Sequence, residues 1–205
     1  MHRTPLLFLL AALSILLGAP VARAQAGDPA AAQITALHGA LLDVMRRAKV
    51  LGPKGRYEAL RPPIEQAFDL PTMARFAVGT TWSGLPPDQQ AMLVKAFTRM
   101  TVATYAHNFD GFNGETFSLE KVDTRGPDKL VHTRLHSGGT TTDLTYRMRQ
   151  SAGTGTWKVI DVYYNSTVSS LLGQRSEFAT TLAAGGATAL AKSLEHRADV
   201  LLQGP

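Results

Sequence analysis

Apolar residues recur every three or four positions through the first half of the chain and every second position after that. Ile34, Leu37, Leu41, Val44 and Ala48 fall on one helical face, with Gln33, His38, Asp43, Arg46 and Arg47 around the rest. Gly52-Pro53 ends that helix, and a second is expected over 55–68, kinked by Pro62-Pro63. Asp69, with Pro71 in the first turn, predicts a third that stops at Gly79. Pro86-Pro87 opens a long fourth carrying Met92, Leu93, Ala96, Phe97, Met100 and Tyr105, which Asp110-Gly111 and Asn113-Gly114 terminate. Four strands are expected over 115–124, 129–136, 141–149 and 156–164, separated by Gly126-Pro127, Gly138-Gly139 and Gly153-Thr154-Gly155. In the third, Leu144, Tyr146 and Met148 share one face, and Asp143, Thr145, Arg147 and Arg149 the other. Two helices close the chain, over 169–183 and 187–202, with a hinge-like break at 184–187. Helices, a four-stranded antiparallel meander and more helices predict an α+β fold.

The start of the chain has a different character. Met1-His2-Arg3 precedes an apolar run from Leu6 to Leu17, then Gly18, Pro20 and the small-residue stretch Val21-Ala22-Arg23-Ala24. That is the layout of a secretory signal peptide over 1–24, cleaved near Ala24, and a run of this length is short for a membrane span. Residues 25–32, small and polar, read as a flexible leader, and 33–205 as one domain. Removing Arg3 and Arg23 leaves 19 basic against 16 acidic residues, +3 instead of the +5 of the 205-residue chain. A pI near 9.7 therefore overstates the case for nucleic acid, and no basic run or basic-aromatic stripe supports it.

Candidate chemistry is sparse. The absence of cysteine removes disulfide scaffolds, zinc ribbons and thiol nucleophiles. His132 and His136 lie on one face of the second strand with no third ligand at a suitable spacing, so neither a metal nor another cofactor is expected. Ser137-Gly138-Gly139 lacks the frame of a nucleophile elbow, and Asn165-Ser166-Thr167 matches a glycosylation sequon. Phe97, Met100, Tyr105, Phe109, Phe112, Leu144, Tyr146, Met148, Trp157 and Val159 could either fill a solid core or wall a cavity for an apolar ligand. Strict alternation along the fourth strand points Asp161 to the side of Trp157 and Val159. There it is a buried base, or it is re-aimed by a bulge, or paired with Arg175 or Arg147.

Two stretches carry a resemblance. Trp157-Lys158-Val159-Ile160-Asp161-Val162, followed by Thr167-Val168-Ser169 and Gln174-Arg175-Ser176-Glu177-Phe178, resembles the strand, turn and helix start of the MlaC-like periplasmic lipid carriers, also called toluene-tolerance proteins. Phe68-Asp69-Leu70-Pro71-Thr72-Met73-Ala74-Arg75-Phe76-Ala77-Val78-Gly79 with Trp82 resembles that family's "FD-x-x-x-MAR-x-x-x-G" helix. The likeness spans about 34–202. Phe109-Asp110-Gly111-Phe112-Asn113-Gly114-Glu115 and the turn after Asp161 are similar to the hopanoid-associated branch, HpnM.

The resemblance implies a curved sheet of cystatin/NTF2-like shape, packed with helices around an apolar pocket. It also implies a periplasmic carrier of hopanoid or phospholipid, without catalysis. Such a carrier would move between an inner-membrane transporter, of MCE or RND type, and the outer membrane, with a complex there as its further partner. A monomer is expected. Tyr105, Phe109, Leu144, Tyr146, Met148 and Val159 are the expected lipid-contacting walls, and Asp161 and Arg175 are expected to be structural polar residues. The rival readings are a small NTF2-like enzyme using Asp161, assisted by Tyr163 or Tyr146, and a solid-cored adaptor.

Overall fold

The computed structural model describes residues 27–165 and 168–203. The expected signal peptide, and Ser166 and Thr167 of the sequon, lie outside them.

Helix α1 (Pro29–Arg46) starts where Asp28 accepts a hydrogen bond from the Ala30 N–H at 2.8 Å, with Pro29 as its first residue. The leader expected over 25–32 is thus corrected from Pro29 onward. Ala30 and Ala31 already belong to the buried stripe that continues through Ile34, Leu37, Leu41 and Val44. Helix α2 (Ala48–Ala67) is interrupted at Gly52, whose φ of +62° lies in the left-handed region that glycine tolerates best. The break therefore falls at Gly52, and Pro62 and Pro63 stay inside the helix. Asp69 caps α3 (Leu70–Val78) by accepting from the Thr72 N–H, and a 3₁₀ turn (Gly79–Gly84) follows. Helix α4 (Pro87–Asn108) leads into the sheet, and α5 (Ser170–Gln203) closes the chain with a break at Gly186, inside the expected hinge.

The sheet has five strands rather than four: β1 (Thr116–Arg125), β2 (Asp128–Ser137), β3 (Thr140–Gln150), β4 (Trp157–Tyr164) and the two-residue β5 (Val168–Ser169). All neighbouring pairs are antiparallel, in the order β1-β2-β3-β4-β5. Gly138 and Gly139, with φ of +53° and +81°, supply the turn chemistry of the β2–β3 hairpin. The fifth strand is too short for any alternation to announce it. It exists because Val168 and Ser169 pair with Tyr164 and Tyr163 at the sheet edge.

One sheet face carries Val131, Leu144, Tyr146, Met148, Val159 and Val162, all buried in one apolar core with Leu41, Leu60, Ile64 and Phe97 of the helices. Helices α1 and α2 lie against the sheet, α4 packs behind α2 and along α5, and α3 bridges α5 to the β4 edge. On β1–β3 the opposite face is polar. It is laced by ion pairs such as Arg134 with Glu120 and Asp143, and Arg147 and Arg149 with Asp128. No helix among the described residues is long and apolar enough to cross a membrane.

Candidate functional site

A bulge in β4 decides where the chemistry faces. Met148 of β3 pairs with Val159 and Arg147 pairs with Asp161, so Ile160 is the extra residue. Asp161 therefore stands beside Arg147 on the outer face, and not beside Val159 as unbroken alternation predicts. Its carboxylate is buried and occupied. Oδ1 accepts from the Val162 N–H at 2.8 Å and the Leu171 N–H at 3.3 Å, and Oδ2 from the Ser169 hydroxyl at 2.6 Å. Ser169 Oγ in turn accepts from the Leu172 N–H at 3.1 Å. Together the two side chains satisfy orphan N–H groups at the start of α5, where the helix dipole also favours a carboxylate. Among the described residues the Asp161 carboxylate is thus held by backbone and serine donors, and no arginine pairs with it. Arg147 is held by Asp128, with Nε 2.6 Å from Oδ2, and Arg175 forms no ion pair among the described residues.

Between the end of α3, the 3₁₀ turn, the outer face of β4 and the first turn of α5 lies a cleft of about 620 Å³. Phe76, Trp82, Ile160, Tyr163, Leu171 and Leu172 give it apolar walls, and Arg75, Arg147, Arg175 and Asp161 are its charged lining. Arg75 lies over the Phe76 ring, 5.4 Å from its centroid. Arg175 packs on Gly79, where a Cβ would stand 2.7 Å from its Nε. Asp128 is buried, which raises its pKa. Hydrogen bonds from Arg149 and Arg147 outweigh that and hold the carboxyl below its usual range. Of the cleft lining, Leu172 is 67% exposed. The exposed Tyr164 and Val168 pair with each other, and Tyr164 pairs with Leu144, on the opposite face of the sheet.

The profile of the MlaC protein family matches residues 36–196. The chain belongs to the MlaC family. A similar solved structure is the phospholipid-binding protein from Ralstonia solanacearum in complex with a phospholipid. It shares 20% identity and a TM-score of 0.73, over 83% of this chain and 97% of that one, which establishes a common fold. Among curated proteins, none matches this chain.

In this MlaC-family chain, none of the six residues expected as pocket walls lines the cleft. They converge elsewhere. Leu144, Tyr146, Met148 and Val159 are buried on the inner sheet face, and Tyr105 and Phe109 pack against that core from the end of α4. The Tyr105 ring stands edge-on to Phe68 at 5.6 Å and stacks on Phe109 at 5.7 Å. The separation has a physical reason: α1 and α2 fill the inner face, whereas the β4 bulge and the 3₁₀ turn open the outer one. The walls that alternation missed had a signal of their own. Arg75, Phe76, Gly79, Trp82 and Arg175 all lie in the two stretches that resemble the family.

The remaining candidates sit apart from the cleft. His38 is buried on the inner face, stacked on Phe117 at 3.9 Å with Nε2 3.1 Å from the Tyr146 hydroxyl, and burial lowers its pKa to about 4. The same burial pushes the Tyr146 phenol up. His132 contacts Asp123 and Thr145, and His136 contacts Thr141. Among the described residues no three His, Asp or Glu side chains gather as metal ligands.

Proposed function

We propose that this MlaC-family protein is a soluble periplasmic lipid carrier that holds its cargo in the cleft between the 3₁₀ turn, β4 and α5. Hopanoid and phospholipid are both cargo classes under this reading, and the hopanoid-associated branch is its narrower form. The carrier shuttles between an inner-membrane transporter of MCE or RND type and the outer membrane. The observation that carries the reading is the cleft itself, a concavity in the size range of ligand sites whose walls are largely apolar and include the exposed Leu172. Family membership, the leader-like start and the phospholipid in the Ralstonia solanacearum structure support it.

The energetics suit a carrier. Covering a tail removes about 0.8 kcal/mol per CH₂ from contact with water, so a chain of about 16 carbons is held by on the order of 10 kcal/mol. Taking roughly 30 Å³ per small group, the share of a water molecule in the liquid, 620 Å³ accommodates about 20 such groups. That is one acyl chain. A second chain needs the neighbouring inner layer, where Tyr105, Phe109, Leu144, Tyr146, Met148 and Val159 meet. We therefore keep those six as walls of an expanded, lipid-loaded state. The enzyme reading is weakened, because an Asp161 acting as base must give up the hydrogen bonds that start α5.

Native mass spectrometry of protein purified from its own host's periplasm, with solvent extraction of the bound material, tests the proposal. A stoichiometric phospholipid or hopanoid is expected. Protein that arrives empty and stays empty after incubation with both classes refutes it.

A further inference from the structure

Arg75 and Arg175 are the two charged cleft residues that no carboxylate holds among the described residues. Arg147 shares Asp128 with Arg149, and Asp161 is spent on the start of α5. Two exposed guanidinium groups thus line the cleft without a carboxylate partner, between its apolar walls and beside Arg147 and the hydrogen-bonded Asp161. Arg175 is positioned by packing and not by an ion pair. Residue 79 is a glycine with φ of +75°, and a Cβ there would collide with Nε at 2.7 Å and with Cζ and Nη2 at 3.0 Å. The absent side chain leaves room for the guanidinium beside the cleft wall.

We propose that Arg75 and Arg175 form a clamp for a phosphate ester, so that the cleft prefers lipids with an anionic phosphate headgroup over uncharged amphiphiles. This deepens the carrier reading and rests on it. A guanidinium presents a planar fork of N–H donors that matches phosphate oxygens two at a time, and charge-assisted bonds of this kind are the strong ones. The helix end cannot serve instead, since the Leu171 and Leu172 N–H groups are already bound by Asp161 and Ser169. Phe76, Trp82 and Leu172 beside the two arginines supply the surface for a tail, which is why the anion is expected to be esterified.

The test uses delipidated protein and three probes: phosphatidylglycerol, diacylglycerol with the same chains, and inorganic phosphate. The expected preference for phosphatidylglycerol over diacylglycerol is about tenfold or more, and it shrinks as salt screens the exposed charges. Arg175→Gln and Arg75→Gln should each weaken phosphatidylglycerol binding far more than diacylglycerol binding and so remove most of that preference, with Arg175→Lys retaining part of it. Inorganic phosphate should compete only weakly. Equal binding of the two lipids by the parent overturns the clamp and leaves the carrier reading standing. Binding of neither lipid overturns both. Variants that lose the two lipids alike, with intact melting curves, assign the arginines a structural role and overturn the clamp. So does inorganic phosphate binding as tightly as the lipid. If Arg175→Gln fails to fold, Arg75→Gln, from a different element, decides the question.

Discussion

Replacing His38 with phenylalanine should flatten the acid limb of this protein's stability curve. The imidazole is 7% exposed, is stacked on Phe117, and meets the Tyr146 hydroxyl at 3.1 Å. Burial holds its pKa at about 4, against an ordinary 6.5. Because the folded value is the lower one, the unfolded chain takes up a proton between those two pH values while the folded chain does not. Stability is therefore intact above about 6.5 and lost as pH falls toward about 4. At 1.36 kcal/mol per pH unit, the loss across that window is about 3 kcal/mol, a large share of the roughly 5–15 kcal/mol of a typical domain. Phenylalanine keeps the stacking but leaves the Tyr146 hydroxyl without its partner, which costs about 1–3 kcal/mol at every pH. Urea unfolding of parent and variant from about pH 7.5 down to about 4.5 should show the variant weaker at neutral pH. The gap should narrow or reverse in acid. Carboxylates such as Asp128 titrate in both proteins and cancel in the difference. Parallel curves throughout would sink the argument, since they would mean that His38 is protonated equally in the folded and unfolded states.

Other substitutions separate structure from binding. Asp161→Ala should cost about 2–3 kcal/mol by thermal or urea melting, because it strips acceptors from the Val162 and Leu171 N–H groups and from Ser169; an unchanged midpoint contradicts the capping role. Met148→Ala, at a position with no exposure, should lower stability by about 2–5 kcal/mol. Trp82→Ala, at the half-buried cleft wall and packed against the core, should lower the midpoint less than Met148→Ala does while loosening bound lipid in a fluorescence titration; unchanged lipid binding would return the site to the inner face. Gly79→Ala should both destabilise, by about 1–2 kcal/mol for a side chain at positive φ, and weaken binding of anionic lipid by displacing Arg175; a variant that binds as the parent does contradicts that placement.

What the sequence made legible was local, and what it hid depended on pairing. The helical stripe of α1, the Asp69 cap, the Gly138-Gly139 hairpin and the break near Gly186 each follow from a few consecutive residues, and each lies where the pattern puts it. The bulge at Ile160 is different, because a strand shifts register only against its partner, and no residue type in Val159-Ile160-Asp161 announces that Met148 and Arg147 will straddle it. That single extra residue moves Asp161 across the sheet. It thereby separates two groups that alternation had merged, the apolar inner layer of Leu144, Tyr146, Met148 and Val159 and the outer cleft beside Arg147. The apolar inventory therefore located the core, and the cleft came from short mixed stretches such as Arg75-Phe76 and Leu171-Leu172. Burial makes a core position uniformly apolar, so period alone can find it. A site that must hold an amphiphile needs guanidinium groups and aromatic rings side by side, and that mixture is what a periodicity count discards as loop or helix surface. Under the reading proposed for the cleft, the informative positions are thus the apolar residues that stay exposed next to cations without an ion pair among the described residues, with Leu172 beside Arg175 as the case in point.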